Sequence, residues 1–222
     1  MNKKKFILHY NTTVTAHSGC ENTADNSVES IIRAAECGAD VVEIDINFDN
    51  EGNPVLSHDT PCGGELTLEK AFEILSGIEN IRINLDIKNT DCLYKIPDIA
   101  RKYSLYDRIF YTGIFEDFVP AVREQTKDIP YYLNTKIVSP DCQDEKYFEA
   151  LAEKTRMLGA IGINPNFSNV TKELTEYFHS QNLLVSLWTA NEDADIEKVL
   201  ALAPDNITTR FPSKFTKKET IK

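Results

Sequence analysis

Short runs of strand-forming residues alternate with helix-type segments along the whole chain, and this alternation limits the folds open to it. The strand candidates are residues 14–16, 41–46, 83–87, 109–111, 131–133, 160–163, 184–188 and 206–209. Such alternation predicts parallel strands joined by right-handed helical crossovers. Eight strands are the number that closes a (β/α)₈ barrel, the fold class that we expect.

The segments between these strands have helical periodicity. In 27–37, apolar residues recur at Val28, Ile31, Ile32 and Ala35, and Gly38 follows as a stop signal. Similar patterns lie at 66–75, 91–103, 115–125, 145–158, 171–180 and 193–202. No Pro/Gly/Ser-rich linker or internal repeat interrupts the 222 residues, so we expect one domain over 1–222.

A doubly wound open sheet is the main structural alternative, because it has the same alternation. That fold usually binds nucleotides at glycine-rich turns. Gly63 and Gly64 precede a helical segment, but neither GxGxxG nor the GK[ST] ending of a phosphate-binding loop is present. The sequence therefore favours the closed barrel.

Charge and hydropathy narrow the choice of partners. The formal net charge of −11 repels polyanions, which argues against nucleic acid as a partner. No run reaches the ~18 consecutive apolar residues of a membrane span, so stable membrane insertion is not expected. A bound phosphate would have to be held locally, by a metal ion and one or two lysines.

The amino-terminal segment and the cysteines bear on location. Three lysines precede the apolar residues 6–8, a stretch too short for the core of a signal peptide. The chain has five cysteines, an odd number, and none of them has CxxC or other metal-type spacing. This pattern predicts reduced thiols at Cys20, Cys37, Cys62, Cys92 and Cys142. We expect a cytoplasmic protein, and no feature specifies an oligomeric state.

The second strand candidate carries two carboxylates on one side. Glu43 and Asp45 alternate with Ile44 and Ile46, so both point the same way, roughly 6 to 7 Å apart at the backbone. Burying two like charges is costly unless a cation neutralises them, and oxygen ligands suit Mg²⁺ or Ca²⁺ rather than zinc. The pattern indicates a metal site.

Other strand ends carry residues of similar chemistry. His17 ends the first strand, Asp86 and Lys88 end the third, and His58 follows a short turn after the second. In a parallel barrel these ends meet at one face, where active sites are found. Two histidines there can give and take protons near neutral pH. His9 and His179 lie outside any such cluster and are interpreted as structural.

The order of these residues resembles a known family. Its elements are Ala16-His17-x-Gly19, Asp25-Asn26-Ser27, Gly38-Ala39-Asp40-x-x-Glu43-x-Asp45 and Pro54-Val55-x-x-His58-Asp59, followed by Asn84-x-Asp86-x-Lys88, Trp188-Thr189-Ala190-Asn191 and Ile207-Thr208-Thr209-Arg210-Phe211-Pro212. They are similar to the HRG, ENT, GAD-x-x-E-x-D, PVxxHD, NxExK, WTxN and ITxxP elements of glycerophosphodiester phosphodiesterases. The resemblance spans roughly residues 14 to 215.

The resemblance implies metal-dependent hydrolysis of glycerophosphodiesters to glycerol 3-phosphate and an alcohol. It implies that Glu43, Asp45 and Asp86 hold Mg²⁺ or Ca²⁺, that His17 and His58 act as base and acid, and that Lys88 neutralises the phosphate of a small-molecule substrate. Trp188 has two interpretations of equal weight. It either packs in the barrel or lies at the rim against the glycerol or the leaving alcohol.

Three departures from the family pattern stand out. Ser18 replaces the phosphate-binding arginine of HRG, so we expect weaker phosphate binding if Ser18 contacts the substrate and Arg210 does not compensate. Asp86 replaces a glutamate and is one methylene shorter. A short loop, 60–65, replaces the family's usual insertion before the next helix, which predicts an open pocket. Residues 25–27, Asp-Asn-Ser, stand where the family has Glu-Asn-Thr, and we interpret this difference mainly as a helix N-cap.

Two alternative functions remain open. A phospholipase-like barrel enzyme, of the lysophospholipase D or C type, would use the same histidines but show interfacial activation on micelles. A catalytically weakened phosphodiester-binding module, suggested by Ser18 and the short loop, would bind such diesters without releasing alcohol.

Overall fold

The computed structural model describes residues 5–8 and 11–216, and eight parallel strands among them close into a barrel. Closure is direct, because the first barrel strand pairs with both the last barrel strand and the second. The barrel strands are β2 (Thr13–Ala16), β3 (Val41–Phe48), β5 (Arg82–Ile87), β6 (Ile109–Ile114), β7 (Tyr131–Leu133), β8 (Gly162–Ile163), β9 (Leu184–Leu187) and β10 (Asn206–Thr209). The predicted (β/α)₈ fold is confirmed.

Among the residues that the structure describes, seven α-helices lie between the barrel strands. They are α1 (Val28–Glu36), α2 (Leu68–Ser76), α3 (Lys95–Lys102), α4 (Val119–Gln125), α5 (Glu145–Met157), α6 (Lys172–Ser180) and α7 (Asp193–Leu202). Four begin at a side chain that accepts a hydrogen bond from a first-turn amide, namely Ser27, Thr67, Asp144 and Thr171. The N-cap interpretation of Ser27 is confirmed.

Three short strands lie outside the barrel. β4 (Pro54–Leu56) runs antiparallel to the end of β3. β1 (Phe6–Ile7) and β11 (Phe215–Thr216) pair in parallel and bring the two ends of the described chain together. The hairpin of β3 and β4 matters most for the site, because it returns the chain to the barrel mouth just before His58.

The alternation of side chains along β3 separates the core from the site. Val42, Ile44 and Ile46 point outward and pack in the apolar layer beneath the helices. Glu43 and Asp45 therefore point into the barrel, although both are buried. The strand is buried on both sides, as its sequence predicts.

The middle of the barrel is polar, whereas most barrel interiors are filled by branched apolar side chains. The Asn206 amide oxygen accepts hydrogen bonds from the Thr13 and Thr15 hydroxyls at 2.9 and 2.8 Å. Its amide nitrogen donates to the Ser186 hydroxyl at 3.0 Å. Such groups tolerate burial because they satisfy one another, and they form a floor beneath the mouth.

Differences from the predicted elements are local. Helices α3 and α4 begin at Lys95 and Val119, each four residues later than predicted, because the residues just before them form turns instead of helix. β6 continues to Ile114 through an irregularity in its pairing with β7 that contains Gly113. No helix among the described residues is long and apolar enough to cross a membrane. His9 lies outside the described residues.

Candidate active site

The strand ends surround a cavity of about 350 Å³ at the carboxyl-terminal mouth of the barrel. Its lining includes seven of the eight residues predicted for the site: His17, Glu43, Asp45, His58, Asp86, Lys88 and Trp188. The eighth, Ser18, lies beside the cavity but does not line it. Strands distant in sequence therefore bring one set of ionisable groups together.

Three carboxylates form the charged centre of this cavity. Glu43, Asp45 and Asp86 each offer an oxygen within 4.8 Å of the others. The register explains their proximity, because Asp45 on β3 is directly paired with Asp86 on β5. Burial raises the pKa of Glu43 to about 7, nearby His17 opposes the rise, and the charges of Asp45 and Asp86 add to it. The cluster therefore favours a bound positive charge.

Lys88 is the cation that the chain itself provides to this cluster. Its Nζ donates to Asp45 Oδ1 at 2.8 Å and also to Asp86 Oδ2. Burial alone would lower the pKa of Lys88, but Asp86 and Asp45 outweigh it and raise the pKa above its usual value. Lys88 therefore stays charged at all physiological pH values.

The donor set fits a hard divalent cation. When all three carboxylates are ionised, they carry three negative charges against the single charge of Lys88, and Mg²⁺ or Ca²⁺ prefers such oxygen ligands. The shorter Asp86 is fixed by Thr112, whose hydroxyl lies 2.6 Å from Asp86 Oδ1. A buried acidic cluster suited to a divalent ion is thus part of the barrel mouth.

Ser18 and Asn26 hold the carboxylates in place. The Ser18 backbone N–H donates to Glu43 Oε2 at 2.7 Å, and its hydroxyl accepts from the Asn26 backbone N–H at 2.5 Å. The Asn26 side chain donates to Asp45 Oδ2 at 2.8 Å and accepts from the Asp45 N–H at 3.0 Å. The sequence analysis assigned Asn26 only to a helix cap, so this positioning role was missed.

His17 has a defined orientation. Its Nδ1 lies 2.8 Å from the Ser18 carbonyl oxygen and 3.7 Å from Glu43 Oε2. Because a carbonyl can only accept, Nδ1 carries the hydrogen and Nε2 keeps a lone pair. This tautomer suits a group that removes a proton.

His58 is held more loosely. It follows β4, its side chain is 67% exposed, and its Nδ1 lies 3.0 Å from Asp59 Oδ1. The two histidines thus differ in surroundings although they line the same cavity.

The opposite wall of the cavity is uncharged and was not identified from the sequence. Asn134 Oδ1 accepts from the Gly113 N–H at 3.0 Å and from Asn164 Nδ2 at 3.1 Å. Gly113 has φ +73°, and an added Cβ would lie 2.4 Å from the Ile87 carbonyl oxygen, so only glycine fits. Asn164 Oδ1 is buried and has no hydrogen-bond partner within the described chain.

Trp188 lies at the cavity wall, whereas His179 and Arg210 lie outside the cavity. The Trp188 indole N–H donates to the Asn164 carbonyl at 2.8 Å, which orients the ring at the cavity wall. His179 on α6 bonds Asp205 at 2.9 Å, away from the cavity. Arg210 makes a bidentate ion pair with Asp25, at 2.6 and 3.1 Å, and does not line the cavity.

Comparison with known proteins identifies the family of this chain. The glycerophosphoryl diester phosphodiesterase family model matches residues 17–72 and 62–214. A glycerophosphodiester phosphodiesterase of Bacillus altitudinis is 22% identical over 249 aligned positions, which cover 93% of this chain and 97% of the relative. The alignment is longer than the 222-residue chain, so the relative has extra residues opposite gaps here.

Solved structures share the fold. A glycerophosphodiester phosphodiesterase from Parabacteroides distasonis superposes with a TM-score of 0.73 at 20% identity, covering 90% of this chain and 93% of the other. An Oleispira antarctica phosphodiesterase, solved with the product sn-glycerol-3-phosphate, has a TM-score of 0.76 at 17% identity, covering 92% and 95%. The chain therefore belongs to the glycerophosphoryl diester phosphodiesterase family, a family of phosphoric diester hydrolases.

Proposed function

We propose that this protein hydrolyses glycerophosphodiesters to sn-glycerol 3-phosphate and an alcohol, with a divalent cation and two histidines. The observation that carries the proposal is the convergence of Glu43, Asp45 and Asp86 with both histidines in one cavity. Membership of the family and the product found in the Oleispira antarctica relative support the substrate class.

The cation is proposed as Mg²⁺ or Ca²⁺, held by Glu43, Asp45 and Asp86. When bound, it supplies positive charge that polarises the phosphoryl group. With Lys88 it balances the three carboxylates, so that one further negative charge, the diester phosphate, can enter without leaving the site strongly anionic. Lys88 keeps its charge and helps to neutralise the phosphate.

His17 acts as the base in the first step. Its Nδ1–H is donated to the Ser18 carbonyl, so Nε2 is free to accept a proton from the glycerol hydroxyl beside the phosphate. The oxygen of that hydroxyl then forms a bond to phosphorus. The bond from phosphorus to the leaving alcohol breaks, and His58 donates a proton to the departing oxygen.

The second step reverses the roles of the two histidines. The first step joins two glycerol oxygens to phosphorus in a cyclic phosphate. His58 then accepts a proton from water, whose oxygen attacks phosphorus, and His17 returns its proton to the glycerol oxygen as its bond to phosphorus breaks. Each histidine ends in its starting state and one water is consumed. Trp188 and the uncharged wall hold the organic part of the substrate.

Ser18 contributes through the carboxylates. It is 1% exposed, and both its N–H and its hydroxyl are already bonded, to Glu43 and Asn26. We propose that Ser18 supports substrate binding by fixing the cation ligands. The free state of all five cysteines supports a reducing, cytoplasmic location.

The test is alcohol release from a panel of glycerophosphodiesters with and without chelator. Activity should disappear with chelator and return with Mg²⁺ or Ca²⁺. Glu43→Gln should lower kcat by at least ~10², whereas the exposed Glu153→Gln on α5 should not change it. Undiminished turnover after exhaustive metal removal would disprove the metal assignment.

The same experiment separates the competing functions. Calorimetric binding of diesters without alcohol release would favour a binding module. Turnover that rises sharply once a substrate forms micelles would favour a phospholipase-like enzyme.

A further inference from the structure

A second cavity, of about 320 Å³, adjoins the catalytic cavity. The two share Phe115, Asn134 and Trp188 as walls, so they lie side by side at the neutral side of the barrel mouth. We call this second cavity the Lys136 groove. It is lined by Phe115, Asn134, Thr135, Lys136, Ile137, Asn166, Ser168, Asn169 and Trp188.

Six of the nine residues that line the Lys136 groove are polar by type, although most of its exposed surface is apolar, and Lys136 is the single ionisable side chain among them. Lys136 is exposed, and neither it nor the Thr135 hydroxyl has a hydrogen-bond or ion-pair partner within the described residues. The nearest rim also holds Glu116, but that carboxylate is paired with Lys154. The groove therefore offers an unpaired positive charge and the Thr135 hydroxyl, whereas the Ser168 hydroxyl is already bonded to Asn166 Oδ1.

The aromatic residues lie where the two cavities meet. Phe115 follows β6 and is 47% exposed, although it is a large apolar side chain. Trp188 is oriented by its bond to the Asn164 carbonyl. A group passing from the catalytic cavity into the groove would contact both rings with its carbon skeleton, while its hydroxyls reach the amides beyond.

We propose that the Lys136 groove binds the leaving alcohol of the substrate and selects for hydroxyl-rich, neutral or anionic alcohols over quaternary ammonium alcohols. This inference rests on the proposed hydrolysis of glycerophosphodiesters. A diester held at phosphorus has two organic halves, and the groove is the space into which the second half extends. Aromatic rings alone would attract a quaternary ammonium group, but the Lys136 charge opposes it, and the amides suit hydroxyls.

The experiment compares kcat/KM for glycerophosphoinositol and glycerophosphocholine at low ionic strength. The wild-type enzyme should prefer the inositol diester. Lys136→Glu should shift the preference towards the choline diester by roughly tenfold or more, because the groove charge changes sign. Lys136→Met should give an intermediate shift. The matched control is Lys127→Glu, an exposed lysine outside the groove that should leave the ratio unchanged.

The outcomes separate this inference from the function on which it rests. If both diesters are hydrolysed and the ratio is the same in wild type, Lys136→Met and Lys136→Glu, the groove assignment is overturned while the hydrolase function stands. If Lys127→Glu shifts the ratio as much as Lys136→Glu, a general surface charge is responsible and the assignment is also overturned. If no diester is hydrolysed, the proposed function is wrong, and the inference about the groove, which depends on it, is overturned as well.

Discussion

The two sides of the barrel mouth differ in charge and in what they can do. The charged side is formed by residues on β3 and β5 and by residues that follow β2, β4 and β5, namely His17, Glu43, Asp45, His58, Asp86 and Lys88. The neutral side, formed by residues at the ends of β6 to β9, contains Gly113, Asn134, Asn164 and Trp188. Groups proposed to move protons and hold a cation are thus separated from groups proposed to hold hydroxyls and carbon. The difference indicates a division between chemistry and recognition.

The largest effect should come from the histidines of the charged side. His17→Ala and His58→Ala should each lower kcat by at least ~10², because each variant loses a group that transfers a proton in both steps. KM should change much less, since neither ring is assigned to ground-state binding. Steady-state kinetics with a simple glycerophosphodiester measures both parameters.

The control for the histidine variants is His179→Ala. His179 bonds Asp205 outside the cavity, so this variant should retain kcat. Thermal unfolding should show that the fold is kept in all three. Near-normal kcat in His17→Ala or His58→Ala would remove that histidine from the mechanism and weaken the contrast between the two sides.

A smaller effect, on KM, is expected from the neutral side. Asn164 lines the cavity, and its buried Oδ1 is an acceptor without a protein partner in the described chain, so a substrate hydroxyl can satisfy it once the amide turns towards the cavity. Asn164→Leu should raise KM roughly tenfold, the usual worth of one hydrogen bond, and change kcat less. An equal fall in kcat at unchanged KM would place Asn164 in the chemical step and contradict the division.

Stability must be measured for this variant as well. Asn164 also donates to Asn134, which in turn accepts from the Gly113 N–H. If Asn164→Leu lowers the melting temperature by several degrees, the milder Asn164→Ala should be compared at a temperature where both are folded. A raised KM in folded protein is the result that supports recognition by the neutral side.

The sequence could predict the charged side because its residues are unusual where they occur. Carboxylates such as Glu43 and Asp45 are costly on a strand flanked by Val42 and Ile44, so their presence required an explanation. Asn134 and Asn164 gave no such signal, because asparagine is ordinary where a strand ends in a turn. Their role depends on barrel closure, which places β7 beside β8.

The fold was predictable for a related reason. The apolar runs marked all eight barrel strands, and two of them, β7 and β10, have the bounds that were predicted. The starts of α3 and α4 were not predictable from periodicity, because the apolar residues of the preceding turns continue the helical spacing. The turn at Gly113 also requires knowledge of the neighbouring strand, since it depends on close contact with the Ile87 carbonyl.

The smallest effect is expected at Ser18, where the sequence alone suggested that Ser18→Arg would lower KM. A new charge-assisted hydrogen bond to phosphate is worth about 1.5 to 3 kcal/mol, enough to lower KM by roughly tenfold or more. That gain requires a side chain aimed into the cavity. Ser18 is instead 1% exposed, and its hydroxyl is the acceptor for the Asn26 N–H.

An arginine side chain at position 18 is too large for the buried space that the serine occupies. It would also remove the hydroxyl that accepts from the Asn26 backbone N–H, and the Asn26 side chain in turn bonds both the carboxylate and the N–H of Asp45. We therefore expect Ser18→Arg to leave KM level or slightly raised. Ser18→Ala is the matched variant, because it removes the same acceptor without adding bulk, and it should lower kcat by less than about tenfold. Steady-state kinetics and thermal unfolding of both variants measure these effects. A tenfold fall in KM for Ser18→Arg, with Ser18→Ala unchanged, would show that position 18 reaches the phosphate directly and that the charged side also recognises substrate.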